Sequence, residues 1–253
     1  MPLLAVCVVA AACSTSPTQL EDAVDDKPGV LSVSVERADG DDALPFQRVP
    51  NYVTVRMAGD ATAEQVRDVL HAYDDDIDDG DVGSVDVVLD GPKHATLSVG
   101  EGIHVADEVV DDLVAAQTDT TVATYLREAY PVLPSVHITV PATNFAGVQA
   151  VADRYQVVKD ADGSDAVENV EVVSGRFLLI RDAGNEDLTI TTSREDLVEK
   201  VADRFTLLGA AVGGRGPLEL WAAPVDVRAV SRMADRVAGP RVGNVVVRPV
   251  EPQ

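Results

Sequence analysis

Val151-Ala-Asp-Arg-Tyr155, Val201-Ala-Asp-Arg-Phe205 and Met233-Ala-Asp-Arg-Val237 are three copies of one short pattern. On a helix the first, second and fifth positions of each copy share a face, and Asp and Arg project to the other side. The alanine lets the helix lie close to a sheet, and the bulky fifth residue fills the space beside it. Each copy extends to an apolar stripe at i, i+3, i+4, i+7: Val148 to Tyr155, Val198 to Phe205, Val230 to Val237. Val66, Val69, Leu70 and Tyr73 keep the same spacing, as do Ala106, Val109, Val110 and Leu113. Amphipathic helices with a shared local pattern read as an internal structural repeat. Thr62 with Gln65 reads as a capping box, and Asn144, or Ser193 with Asp196, as further caps. Val122, Tyr125, Leu126 and Ala129 predict one more helix, ending at Pro131.

Strand-like runs separate the helices. Val30–Val35, Tyr52–Met57, Val85–Leu89, Ala95–Val99, Val136–Val140 and Val170–Val173 come first; Phe177–Ile180, Leu188–Thr191, Leu218–Ala222 and Val245–Val247 follow. His137 and Thr139 alternate with Val136, Ile138 and Val140, the pattern of a half-buried strand. The order from Tyr52 to Val140, and again from Val136, contains β-α-β-β-α-β. That order resembles the ferredoxin-like split fold. The resemblance implies an α+β protein of two ferredoxin-like repeated units, each with helices packed on an antiparallel sheet. The units would span residues 29–132 and 133–253, the second with an extra C-terminal helix and strand. Topology by itself assigns no function.

Leu3-Leu-Ala-Val-Cys-Val-Val-Ala-Ala-Ala-Cys13 is an uninterrupted small and apolar run that stops at a cysteine, with Ser14, Thr15, Ser16 and Pro17 next. It resembles the end of a bacterial lipoprotein signal peptide, of actinobacterial type, with Ala10 to Ala12 before the cut and Cys13 as the lipobox cysteine. The resemblance implies a signal peptide over residues 1–12 and a palmitate-bearing, multi-chain lipid anchor on Cys13. A tether over residues 13–28 follows, with a brief helix through Leu20, Ala23 and Val24. It implies attachment to the outer face of a cell membrane, where more than one acyl chain gives stable binding. No Lys or Arg precedes Lys27, so the start lies upstream of Met1 or the leader is trimmed. The run is shorter than the roughly 18 apolar residues a membrane span needs. Cys7 leaves with the leader, so Cys13 is the sole mature cysteine, which excludes a disulfide framework and a cysteine-based metal site.

The 253 residues are 46% hydrophobic, enough for real cores, but only 4% aromatic, so those cores are built from Val, Leu and Ala. One Trp and five Tyr make an aromatic sugar-binding face hard to assemble. The net charge of −23 repels nucleic acid and anionic headgroups.

Asp74-Asp-Asp-Ile-Asp-Asp-Gly-Asp81 and Lys159-Asp-Ala-Asp-Gly-Ser-Asp165 are the densest acidic runs. Carboxylates on a turn suit Ca²⁺. Asp160, Asp162, Ser164, Glu168 and Glu171 fall at the EF-hand ligand offsets, but Asp165 stands where that loop requires glycine. Solvated loops are the simpler reading. Gly100-Glu-Gly-Ile-His-Val105 sits between strand and helix as a dinucleotide loop would, but lacks the third glycine and sets Glu101 against a pyrophosphate. Gly209 to Gly216 reads as a flexible connection. His71, His94, His104 and His137 have no metal-ligand spacing, and no Gly-x-Ser-x-Gly elbow occurs. The expectation is a non-enzymatic binding or scaffolding module with no cofactor, no catalytic residue and no metal ligand. Its partners would be the lipid bilayer and an envelope protein or the cell wall, and not nucleic acid. The alternatives are a calcium-dependent surface protein using the Asp-rich loops, or an enzyme with dispersed carboxylates.

Overall fold

The computed structural model describes residues 15–38, 49–103, 105–131, 134–159, 165–167, 169–183 and 185–251. Cys13, the leader before it, His104 and the heart of the second acidic run (160–164) lie outside the described residues, as does Glu168. The chain begins with α1 (Pro17–Asp22), β1 (Val30–Arg37), β2 (Asn51–Met57), α2 (Ala63–His71), α3 (Asp74–Asp78) and β3 (Val82–Leu89). It continues through β4 (Thr96–Gly100), α4 (Asp107–Thr118), β5 (Thr124–Ala129), β6 (Ser135–Thr139) and α5 (Phe145–Tyr155). A small hairpin, β7 (Val157–Lys159) with β8 (Asp165–Val167), precedes β9 (Asn169–Ser174) and β10 (Phe177–Arg181). Then come α6 (Asn185–Ala202), β11 (Leu207–Val212), β12 (Leu218–Ala222), α7 (Val227–Val237) and β13 (Val245–Pro249).

All strands but the β7–β8 hairpin form one 11-stranded sheet, in the order of the chain. Antiparallel neighbours alternate with parallel ones along it. Hairpins make the antiparallel junctions, and a helix-bearing crossover makes each parallel one. This corrects the expectation of two ferredoxin-like units. In that fold a helix returns the chain past a neighbouring strand into an antiparallel sheet. Here every crossover returns it to the strand immediately alongside, in parallel. The expected seam near Leu133 is also crossed by the β5–β6 hairpin, which pairs Thr124 to Glu128 with Thr139 to Ser135.

The helices cover one face of the sheet. Val87, Leu97, Arg127, Val136, Val170 and Arg181 are register partners in one row across six strands, and all are buried beneath the helices. Hydrophobic burial on this face stabilises the sheet at roughly 25 cal/mol per Å² of apolar surface. Expected local signals hold at several points. Thr62 and Gln65 form a capping box on α2, and Asn144 caps α5 by accepting from Gly147 N–H. Ser16 caps α1, whose Leu20 is fully buried, as is Val24 just beyond it.

Other expectations fail for local reasons. The expected helix through Val122, Tyr125, Leu126 and Ala129 is instead strand β5, Thr124–Ala129, entered from Val122. Leu188–Thr191 lies inside α6, where Thr192 and Ser193 donate to the carbonyls of Leu188 and Thr189 four residues back, so Ser193 is no cap. Ala152 and Ala234 are fully buried as the repeat predicts, but Ala202 is exposed as the last residue of α6, so the second copy, Val201–Phe205, straddles the helix end. The supposed flexible connection, Gly209 to Gly216, begins inside β11. Its Gly209 lies so close to Arg176 that a Cβ would stand 2.8 Å from that residue's carbonyl oxygen.

Candidate functional site

Among the described residues the other face of the sheet carries no helix, and a groove of about 840 Å³ runs across its centre. Its floor comes from outward positions of β5, β6, β9 and β10: Glu128, Ser135, His137, Asn169, Glu171 and Ile180. Its walls include Tyr130 and Asp182, with Asp187 and Arg215 on one side. Register alone brings these residues together. Ser135 is the cross-strand partner of Glu128, and His137 the parallel partner of Glu171.

His137 stands between two carboxylates, Nε2 3.4 Å from Glu128 and Nδ1 3.7 Å from Glu171. The Ser135 hydroxyl donates to Glu128 at 3.0 Å and lies 3.3 Å from His137 Nε2. Serine, histidine and acid thus stand side by side, in a geometry looser than that of an oriented nucleophilic relay. Such a relay needs the acid within about 3.2 Å of the imidazole to orient it. Here that contact is longer and the serine proton is committed to a second carboxylate. The arrangement is suited to holding cationic or hydrogen-bond-donating groups. Arg215, 3.7 Å from Asp187 and largely exposed, is the one guanidinium on the groove among the described residues. The Tyr130 ring closes one end against Gly100, where a Cβ would stand 2.3 Å from the ring. Burial raises the Tyr130 phenol above its usual range; a Ser98 hydrogen bond works against this, and Asp86 and Glu128 reinforce it.

The helix-covered face holds a different set of polar groups, locked in pairs. Arg181 makes a two-pronged contact with Glu195 on α6 (2.8 and 2.6 Å) and reaches Asp153 at 2.6 Å and Gln156 at 2.9 Å on or beside α5. Burial opposes the charge on Arg181, but Glu195 and Asp153 outweigh it and hold the guanidinium above its usual range. Arg127, fully buried, meets Asp112 at 3.1 Å and the Tyr125 hydroxyl at 3.2 Å. Burial raises the Asp112 carboxyl despite that guanidinium. Asp119 ties the end of α4 to α5. It accepts from Thr121 N–H at 2.8 Å and Thr121 Oγ1 at 2.6 Å, and pairs with Arg154. Burial works against its charge; Thr121, Arg154 and Lys93 more than offset this and hold the carboxyl below its usual range.

The other residues singled out in the sequence are scattered. The Asp74 run is the short helix α3 and its flank, on the covered side. His71 meets Asp74 at 2.8 Å, while Thr15 Oγ1 donates to Asp76 at 2.6 Å and its N–H to Asp81 at 3.0 Å. Among the described residues no group of three His, Cys, Asp or Glu side chains is placed to hold a metal ion. His94 lies in the turn before β4, at a φ of 47°. Among the described residues no helix is long and apolar enough to cross a membrane. No protein-family model, curated protein or solved structure matches the chain.

Proposed function

We propose that this protein is an extracytoplasmic lipoprotein, held to the membrane by lipid on Cys13, whose body binds or scaffolds an envelope partner without catalysing a reaction. The observation that carries the binding role is the central groove, where Glu128, Glu171 and Asp182 meet no lysine or arginine among the described residues. A surface with those groups and an apolar strip at Ile180 suits a protein partner presenting cationic side chains. The anchor reading rests on the Leu3–Cys13 run, and a short tether from Cys13 to α1 would hold the body near the bilayer.

Two arms of one experiment test this. Cys13→Ala is expected to leave the membrane fraction and to lose label from radioactive palmitate; unchanged partition with no label in the wild type sinks the anchor. Envelope extract is then passed over immobilised wild type and over Glu128→Gln/Glu171→Gln. Partners retained by the first and lost by the second support the groove; equal retention by both overturns it.

A further inference from the structure

Because strand order follows chain order, the first and last described strands, β1 and β13, lie at the two edges of the sheet. Among the described residues, no strand pairs the outer side of β1 or of β13. With β1 running up, the pairings give up, down, down, up, up, down for β1 to β6. They then give down, up, up, down, down for β9 to β13. The alternation calls for an antiparallel, upward strand next to β13. A second copy in the same orientation offers one, its own β1.

Charge is laid out the same way. Residues 204–253 carry seven arginines against four acidic side chains, in a chain of net charge −23. Arg228, Arg232 and Arg236 form an exposed stripe on α7, which packs beside β13, and Arg241 follows. None of these four makes an ion pair among the described residues, whereas Arg56, Arg67, Arg127, Arg154, Arg181 and Arg248 all do. At the opposite end, α1 packs on β1 on the same helical side, its Leu20 carbonyl accepting from the Tyr73 hydroxyl at 2.9 Å. There Glu21 is half-exposed, and Asp22, Asp25 and Asp26 are exposed. Leu31, at the β1 bulge, is 58% exposed.

We propose that copies of this chain add head to tail, β13 of one pairing antiparallel with β1 of the next, so that the α7 arginine stripe meets the acidic α1 end. An unpaired edge is a ready template for such addition. The contact joins unlike surfaces, so it does not close at two copies. This goes beyond the groove reading and stands independently of it. At low ionic strength the net charge keeps copies apart; near 0.15 M salt, repulsion reaches only about 8 Å and the contact pairs persist.

The test is sedimentation velocity of the full chain in density-matched detergent, over rising protein concentration and salt. Assemblies growing past two copies at moderate salt are expected. Arg228→Glu/Arg232→Glu/Arg236→Glu and Glu21→Lys/Asp22→Lys/Asp25→Lys/Asp26→Lys should each abolish assembly, and mixing the two variants should restore it. A wild type that stays single throughout, an assembly that stops at two, or one untouched by either reversal overturns the proposal. Amide exchange on the wild type gives an answer that needs no variant. Protection of β1 and β13 must rise with concentration, and its failure to do so is equally decisive.

Discussion

The two faces of the sheet handle charge in opposite ways. On the covered face Arg181 and Glu195 are both nearly excluded from water, and every prong of the pair is matched. On the open face Glu128 and Glu171 keep 35% and 40% of their side-chain surface and meet only Ser135 and His137 among the described residues. Removing water from a charge is costly unless a partner replaces it, so the buried pairs are fixed parts of the architecture. The open-face acids remain hydrated, and a partner can claim them at little cost to the fold.

The largest effect should come from the covered face. Arg181→Ala strands Glu195 and is expected to lower stability by about 3–5 kcal/mol, read from urea denaturation. A loss no larger than that of an open-face variant would erase the distinction. Next, Asp119→Asn should cost about 1–2 kcal/mol at neutral pH, since it removes a charged acceptor from a nearly buried site. The native carboxyl is held below its usual range, so its contribution is full above the unfolded value, about 3.9, and is lost as pH falls through the lower folded one. The gap between wild type and Asp119→Asn should therefore close on acidification; a gap that widens would reverse the assignment. The smallest effect belongs to Glu128→Gln/Glu171→Gln, within about 0.5 kcal/mol of wild type. A large loss there would make the groove acids structural after all.

Most strands and the stripes of α2, α4, α5 and α7 were legible because apolar spacing on those elements matches their buried faces. β5 was hidden by Arg127. The inward residue at the middle of the strand is a charged one, paired with Asp112, so Tyr125-Leu-Arg-Glu-Ala129 lacks the alternation that marks a strand. β11 was hidden by Gly209, which has no side chain because Arg176 occupies its place. The stripe at Val198 and Val201 marked the second half of α6, but its first half was hidden by Thr189-Ile-Thr-Thr192, β-branched residues that favour strands in isolation and are overridden by packing. The strand order could not be read, since β-α-β-β-α-β fits several sheets. Of the groove, the outward position of His137 was visible. Its neighbours Glu128 and Glu171 are remote in sequence, and only the pairing register sets them beside it.

A sheet whose strands pair with their neighbours in sequence has one more consequence, for how it is made. Each junction joins strands adjacent in the chain, through a hairpin or one helix-bearing crossover, and closing long loops is the entropic step that slows most β proteins. Such a chain behaves as a row of adjoining units, in which structure can start at any hairpin and spread to either side. It can therefore fold as it emerges, laying each new strand on a finished edge without waiting for its far end.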